Sequence, residues 1–223
     1  MADERKAGSM ILSQLGMFNE AVILYGNVVE PTILKAIDKS IENFTDENNW
    51  EGEFDLAGDD NDCWLYPAEW NIAGPGEEPA PKARFSIDCI NGDDDYWAAL
   101  FCRQGSTGGE AGFIFDVDPT KFNGRRAWNT YTTTIDPVLI ATLDRAGFNA
   151  LGRGKFFLPV HLDANLLASA WETYGEEEIS EFAMDDSLKP LTIALETLKR
   201  SCETFEKIMS DFSVKTIKKT SKQ

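Results

Sequence analysis

Histidine is almost missing from this chain of 223 residues, which holds one, His161. A serine or cysteine nucleophile needs a positioned base, most often an imidazole. His161 lies in the apolar run Leu158-Pro159-Val160-His161-Leu162-Asp163, and no Gly-x-Ser-x-Gly elbow occurs, so nucleophilic catalysis has little to build on. The four cysteines, Cys63, Cys89, Cys102 and Cys202, form no Cys-x-x-Cys pair and match no zinc or iron–sulfur spacing. They read as small packing residues or inert thiols. A basic stretch followed by an apolar one is absent from Met1 to Met10, and no run of about 18 apolar residues occurs. Neither an export signal nor a membrane span is therefore expected, and the free cysteines predict a reducing, cytoplasmic setting.

Basic charge is also short. Twenty-one lysines and arginines face 38 aspartates and glutamates, for a net charge of −17. Contact with the nucleic-acid backbone needs a basic face, and so does attraction to an anionic membrane, so direct binding to either is disfavoured. Gly105-Ser106-Thr107-Gly108-Gly109 lacks the lysine and helix start of a phosphate-binding loop and reads as a turn. Asp59-Asp60-Asn61-Asp62 and Asp116-Val117-Asp118 offer oxygen ligands, but without the central glycine and closing glutamate of a calcium loop. No cofactor and no metal ligand set is expected.

What the chain does hold is acid, and it is concentrated. Residues 51–100 carry 13 acidic and 2 basic side chains, net −11 of the total −17. Residues 1–50 and 151–200 are each net −4, residues 101–150 balance, and the last 23 residues are net +2.

The apolar pattern changes period along the chain. Leu12, Leu15, Phe18, Val22 and Tyr25 recur at helical steps, and Gly26-Asn27 reads as a stop. Glu30-Pro31 opens a second helix with Ile33, Leu34, Ile37, Ile41 and Phe44 on one face. From Trp50 the period shortens toward two. Strands are predicted over 51–56, 63–70, 83–90, 96–103 and 111–117, with one more over 155–160. Helices return after Asp136-Pro137 and after Asp163, the latter ending at Gly175. Last come Leu188, Leu191, Leu195, Leu198, Cys202, Phe205, Met209 and Phe212, spaced alternately by three and four. That heptad seam packs inside the domain or joins two copies.

Strands in one block between blocks of helices predict an α+β fold. Its centre is an antiparallel meander of about five to six strands, flanked by N-terminal and C-terminal helices, the last one long. One domain over residues 1–213 and a basic, flexible tail over 214–223 are expected.

The functional expectation follows the acid. Asp59, Asp60 and Asp62 fall in one predicted turn, and Asp93, Asp94 and Asp95 in another. Aspartate favours turns for local reasons, but this number of acids points to a surface for a basic partner. Trp64, Tyr66 and Tyr96 lie among them and would anchor it. The expected function is a non-enzymatic, acidic protein-binding module. In concrete form it is an inhibitor, an immunity protein or a counter-defence protein that neutralises a basic, nucleic-acid-binding partner. Two alternatives stay open. One is a hydrolase or nuclease using carboxylates and a divalent ion. The other is an adaptor subunit that oligomerises through the Leu188–Phe212 helix.

Overall fold

The computed structural model describes residues 2–72, 80–92, 95–105, 108–178 and 186–220. The protein is α+β, with a six-stranded antiparallel sheet and a long C-terminal helix.

Helix α1 (Ala2–Ser13) meets helix α2 (Leu15–Leu24) at Gln14, whose backbone leaves the helical region, and the chain bends there by 88°. The predicted stop at Gly26-Asn27 does not occur. A π-helical segment, Tyr25–Val29, carries the helix straight into α3 (Glu30–Asn48), and the Glu30 N–H donates to the Tyr25 carbonyl. The wider turn absorbs the glycine without breaking the ladder. The stop comes at Asn49, in the left-handed conformation (φ 56°), a place that asparagine tolerates.

Strands β1 (Trp50–Asp55) and β2 (Asp62–Pro67) form a hairpin, with Glu51 opposite Tyr66, Glu53 opposite Trp64 and Asp55 opposite Asp62. A small pair, β3 (Asn71–Ile72) and β4 (Ala80–Pro81), precedes β5 (Ala83–Ile90). The strand predicted over 96–103 is instead a helix, α4 (Trp97–Phe101), with Ala98, Leu100 and Phe101 buried. Its two alanines favour the helix, and the Glu30 carboxylate accepts the Ala98 N–H at 3.2 Å.

The chain continues through β6 (Glu110–Val117), α5 (Arg125–Thr132), α6 (Pro137–Arg145), β7 (Asn149–Gly152), β8 (Lys155–Pro159), α7 (Ala164–Glu178) and α8 (Lys189–Thr220). Neither α5 nor β7 is foreseen in the sequence, and α7 runs past Gly175. The sheet order is β1-β2-β5-β6-β8-β7.

Period-two alternation splits the side chains between two faces. Leu65, Phe85, Phe113, Phe115, Phe156 and Leu158 share the face that carries the helices. Phe205 of α8 stacks on Phe115 at 4.1 Å and meets Phe85, Phe148 and Phe156 edge-on. Leu188, Leu191, Leu195, Leu198, Phe205, Met209 and Phe212 are all buried in this core, so the seam packs inside its own domain. Ile33, Leu34, Ile37, Ile41 and Phe44 of α3 join them. On the other face Ile114 and Phe157 are buried apart from the main core, which closes the β6–β8 half. Among the described residues the β1-β2-β5 half is not closed in this way: apart from Tyr66, its outward side chains are half-buried or exposed.

Candidate partner-binding surface

The open half of the sheet carries the acid. Glu51, Glu53 and Asp55 project from β1, Asp62 from β2 and Asp88 from β5, all exposed. Against these five carboxylates the three strands hold one cation, Arg84. Its guanidinium carbon lies 5.4 Å from the centroid of the Trp64 ring, within cation–π range. Trp64 is half-buried and stacks on Tyr66, with ring centroids 5.7 Å apart and planes 11° apart. Tyr66 is 5% exposed, so its ring buttresses Trp64 rather than facing outward. Its hydroxyl donates to Glu51 Oε2 at 2.8 Å, and the Asn71 amide donates to the same oxygen at 2.9 Å. Those two donors hold the Glu51 carboxyl below its ordinary pKa, Asn71 first.

Asp59 and Asp60 are exposed in the β1–β2 turn. The turn is fixed from beneath. Buried Asp38 of α3 accepts the N–H groups of Leu56 (3.0 Å) and Ala57 (3.2 Å), and the Asn61 amide donates to Leu56 O and Gly58 O. A Cβ at residue 58 would meet the Asp55 carboxylate, which would have to swing aside. Burial raises the Asp38 pKa despite those two N–H donors, and burial beside Asp38 pushes the Cys63 thiol up.

The pairing of Leu65 with Phe85 places the end of β5 beside the start of β2. The Asn91–Asp95 connection therefore leaves from the same end of the sheet as the Asp59–Asp62 turn. Asp93 and Asp94 lie outside the described residues. Asp95 is half-buried, with its carboxylate against Gly105. Tyr96 is 51% exposed and packs edge-on against Tyr25 at 4.9 Å, away from the sheet face. The structure thus groups Asp59, Asp60, Asp62 and Trp64, places Tyr66 behind them, and turns Asp95 and Tyr96 elsewhere. Glu51, Glu53, Asp55, Asp88 and Arg84 complete the face, and sequence reading left them out of it. Their signal was parity: in Glu51-Gly52-Glu53-Phe54-Asp55 every acid shares one side of a strand.

Two further features are built from distant segments. Arg103 Nε lies 2.8 Å from Glu110 Oε1 and 2.6 Å from His161 Nε2, and His161 Nε2 lies 3.1 Å from the same carboxylate oxygen. Burial, then Arg103, lowers the His161 pKa, against the Glu110 carboxylate, which raises it. The second feature is a groove of about 900 Å³ between the α2–α3 junction, α4 and α7. Tyr25, Val29, Ile33, Tyr96, Leu167 and Trp171 line much of it. Burial and the Glu30 carboxylate push the Tyr25 hydroxyl up, and burial raises Glu30 itself.

Asp116 pairs with Lys155 at 2.7 Å and Asp118 caps the turn at Thr120, so both aspartates serve local structure. Among the described residues no three His, Cys, Asp or Glu side chains are grouped to hold a metal ion. No protein-family model matches the chain, and neither a curated protein nor a solved structure matches it.

Proposed function

We propose that this chain is a non-enzymatic protein-binding module whose acidic sheet face docks onto a basic surface of another protein. In its concrete form it is an inhibitor of the immunity or counter-defence kind, occluding the surface with which a partner binds nucleic acid. The observation that carries the reading is the open half-sheet: five carboxylates and one cation around a half-exposed, buttressed Trp64. The sheet fixes the backbone that carries these carboxylates, so only their side chains need ordering on binding, which lowers the entropic cost of docking. Their summed field steers a basic partner toward the face, and the tryptophan supplies apolar anchoring once water is displaced. A cytoplasmic, reducing setting belongs to the same reading, supported by Cys63, Cys102 and Cys202, which stand as thiols.

The test is capture of a partner from the native host, or from an agent that infects it, at low and high salt. Capture should weaken steeply with salt. It should be lost in a variant with Asp59, Asp60 and Asp62 changed to Asn and Glu53 changed to Gln. Trp64→Ala should cost about 2 kcal/mol, roughly thirtyfold in affinity. A partner whose binding ignores salt, or survives the four charge changes, overturns the proposal.

A further inference from the structure

The strongest unused feature is the N-terminal arm. Eight large apolar side chains between Met10 and Leu24 are 42% to 72% exposed, and α2 has no buried residue. At 100° per residue, Leu15, Met17, Val22, Ile23 and Leu24 lie on most sides of the helix. A helix apolar all round is one that is covered all round. Those eight side chains leave roughly 800 Å² in water, above the largest apolar patch of a typical monomer and about what one partner brings to a standard interface.

Next to this arm lies the apolar groove, and Ala21 and Val22 of α2 form part of its wall. An apolar helix and an apolar groove on one continuous surface are the elements of a self-complementary contact, in which each copy gives what the other takes. The charge map agrees. Between Lys6 and Lys35 there is no basic residue, and α2 carries a single acid, Glu20. Two copies of a chain with net charge −17 meet there with the least repulsion. An anionic lipid surface finds no cation in the same stretch to attract it. We infer that the chain is a homodimer in which α2 of each copy lies in the groove of the other, between its α2–α3 junction and its α7.

The experiment is light scattering on the full chain after size exclusion, from about 5 to 100 μM, a span that brackets micromolar dissociation. The expected mass is twice the 24.9 kDa of one chain. Leu15→Glu combined with Val22→Glu should return the single-chain mass, with an unchanged circular dichroism spectrum. Ala168→Glu, on the α7 wall of the groove, should do the same, and it carries the test alone if the α2 variant fails to fold. Ile193→Glu, on the exposed side of α8, should leave the dimer intact. A single-chain mass over the whole range overturns the inference. So does a dimer that persists in the α2 and α7 variants, or a monomer that instead sediments with phosphatidylcholine vesicles. The acidic face takes no part in this contact, so neither proposal falls with the other.

Discussion

Leu198 and Phe205 of α8 are fully buried, whereas Leu12 and Leu15 of the N-terminal helices are 72% and 58% exposed. Both stretches repeat apolar residues at helical steps, yet only one finds its cover within the chain. The α8 seam keeps to one stripe, and the sheet presents a matching layer of phenylalanines to it. The apolar residues of α2 spread around the helix axis, more than a single neighbouring layer can cover. Helical periodicity shows that a face needs covering but not which surface covers it.

The largest expected effect lies on the covered side. Phe205→Ala should remove about 3–5 kcal/mol of stability in urea unfolding. The ring contacts Phe85, Phe115, Phe148 and Phe156, so its loss opens a cavity that several elements would have to move to fill. A cost under about 1 kcal/mol would mean that α8 sits loosely and that its burial differs little from the exposure of α2.

The next prediction concerns α3, where one continuous helix passes from the exposed region to the packed one. Asp38 fixes the acidic turn to that helix. Asp38→Ala strands two backbone N–H groups and should cost about 2 kcal/mol. Asp38→Asn keeps an acceptor and removes a charge that burial disfavours, so it should cost less, about 1 kcal/mol. Both are read from the urea midpoint at constant slope.

Acidification separates the same groups by sign. Burial raises Asp38 and Glu30 above their ordinary pKa values, so the folded chain takes up their protons at a higher pH than the unfolded one. Their contribution to stability therefore rises as pH falls toward the ordinary carboxylate range. His161 works the other way. Its folded pKa is lowered, so the unfolded chain is protonated first and stability falls as pH drops through the ordinary imidazole value. Melting temperature followed from pH 7.5 downward should dip first, and Asp38 and Glu30 should then bring a partial recovery, opposed by Glu51, whose lowered pKa costs stability as pH falls. His161→Gln should erase the dip, and Asp38→Asn should blunt the recovery.

Much of the fold is legible in the residues. The stripe Ile33–Phe44, the Glu51–Asp55 alternation, the Asp136-Pro137 helix start and the α8 seam each repeat a pattern over enough residues to fix an element. What escapes is short or set by distant partners. The five residues of α4 are too few for a period, and a carboxylate 68 positions away helps to start the helix. The acidic face was half legible: Asp59 and Asp60 lie in the turn the sequence predicts, whereas Asp62, expected in that turn, opens β2 and shares its parity with Trp64. That Tyr66 is covered depends on packing that strand parity does not show. The groove was not legible at all, because Tyr25, Tyr96 and Trp171 meet only in three dimensions.

The smallest effect is the most informative for the comparison. Leu15→Ser removes a large apolar side chain from a helix, a change that in α8 would cost several kcal/mol. In dilute solution, where the chain is a monomer, it should change stability by about 1 kcal/mol or less, because Leu15 is already 58% exposed. As concentration rises through the dimerisation range, the wild type should gain stability by mass action, and the variant should fall progressively behind. Urea midpoints at two concentrations a hundredfold apart separate the cases. A gap that opens with concentration means that the arm is covered by a second copy. A large gap already present at the lower concentration means that the arm packs on its own body, and the contrast between α2 and α8 then disappears.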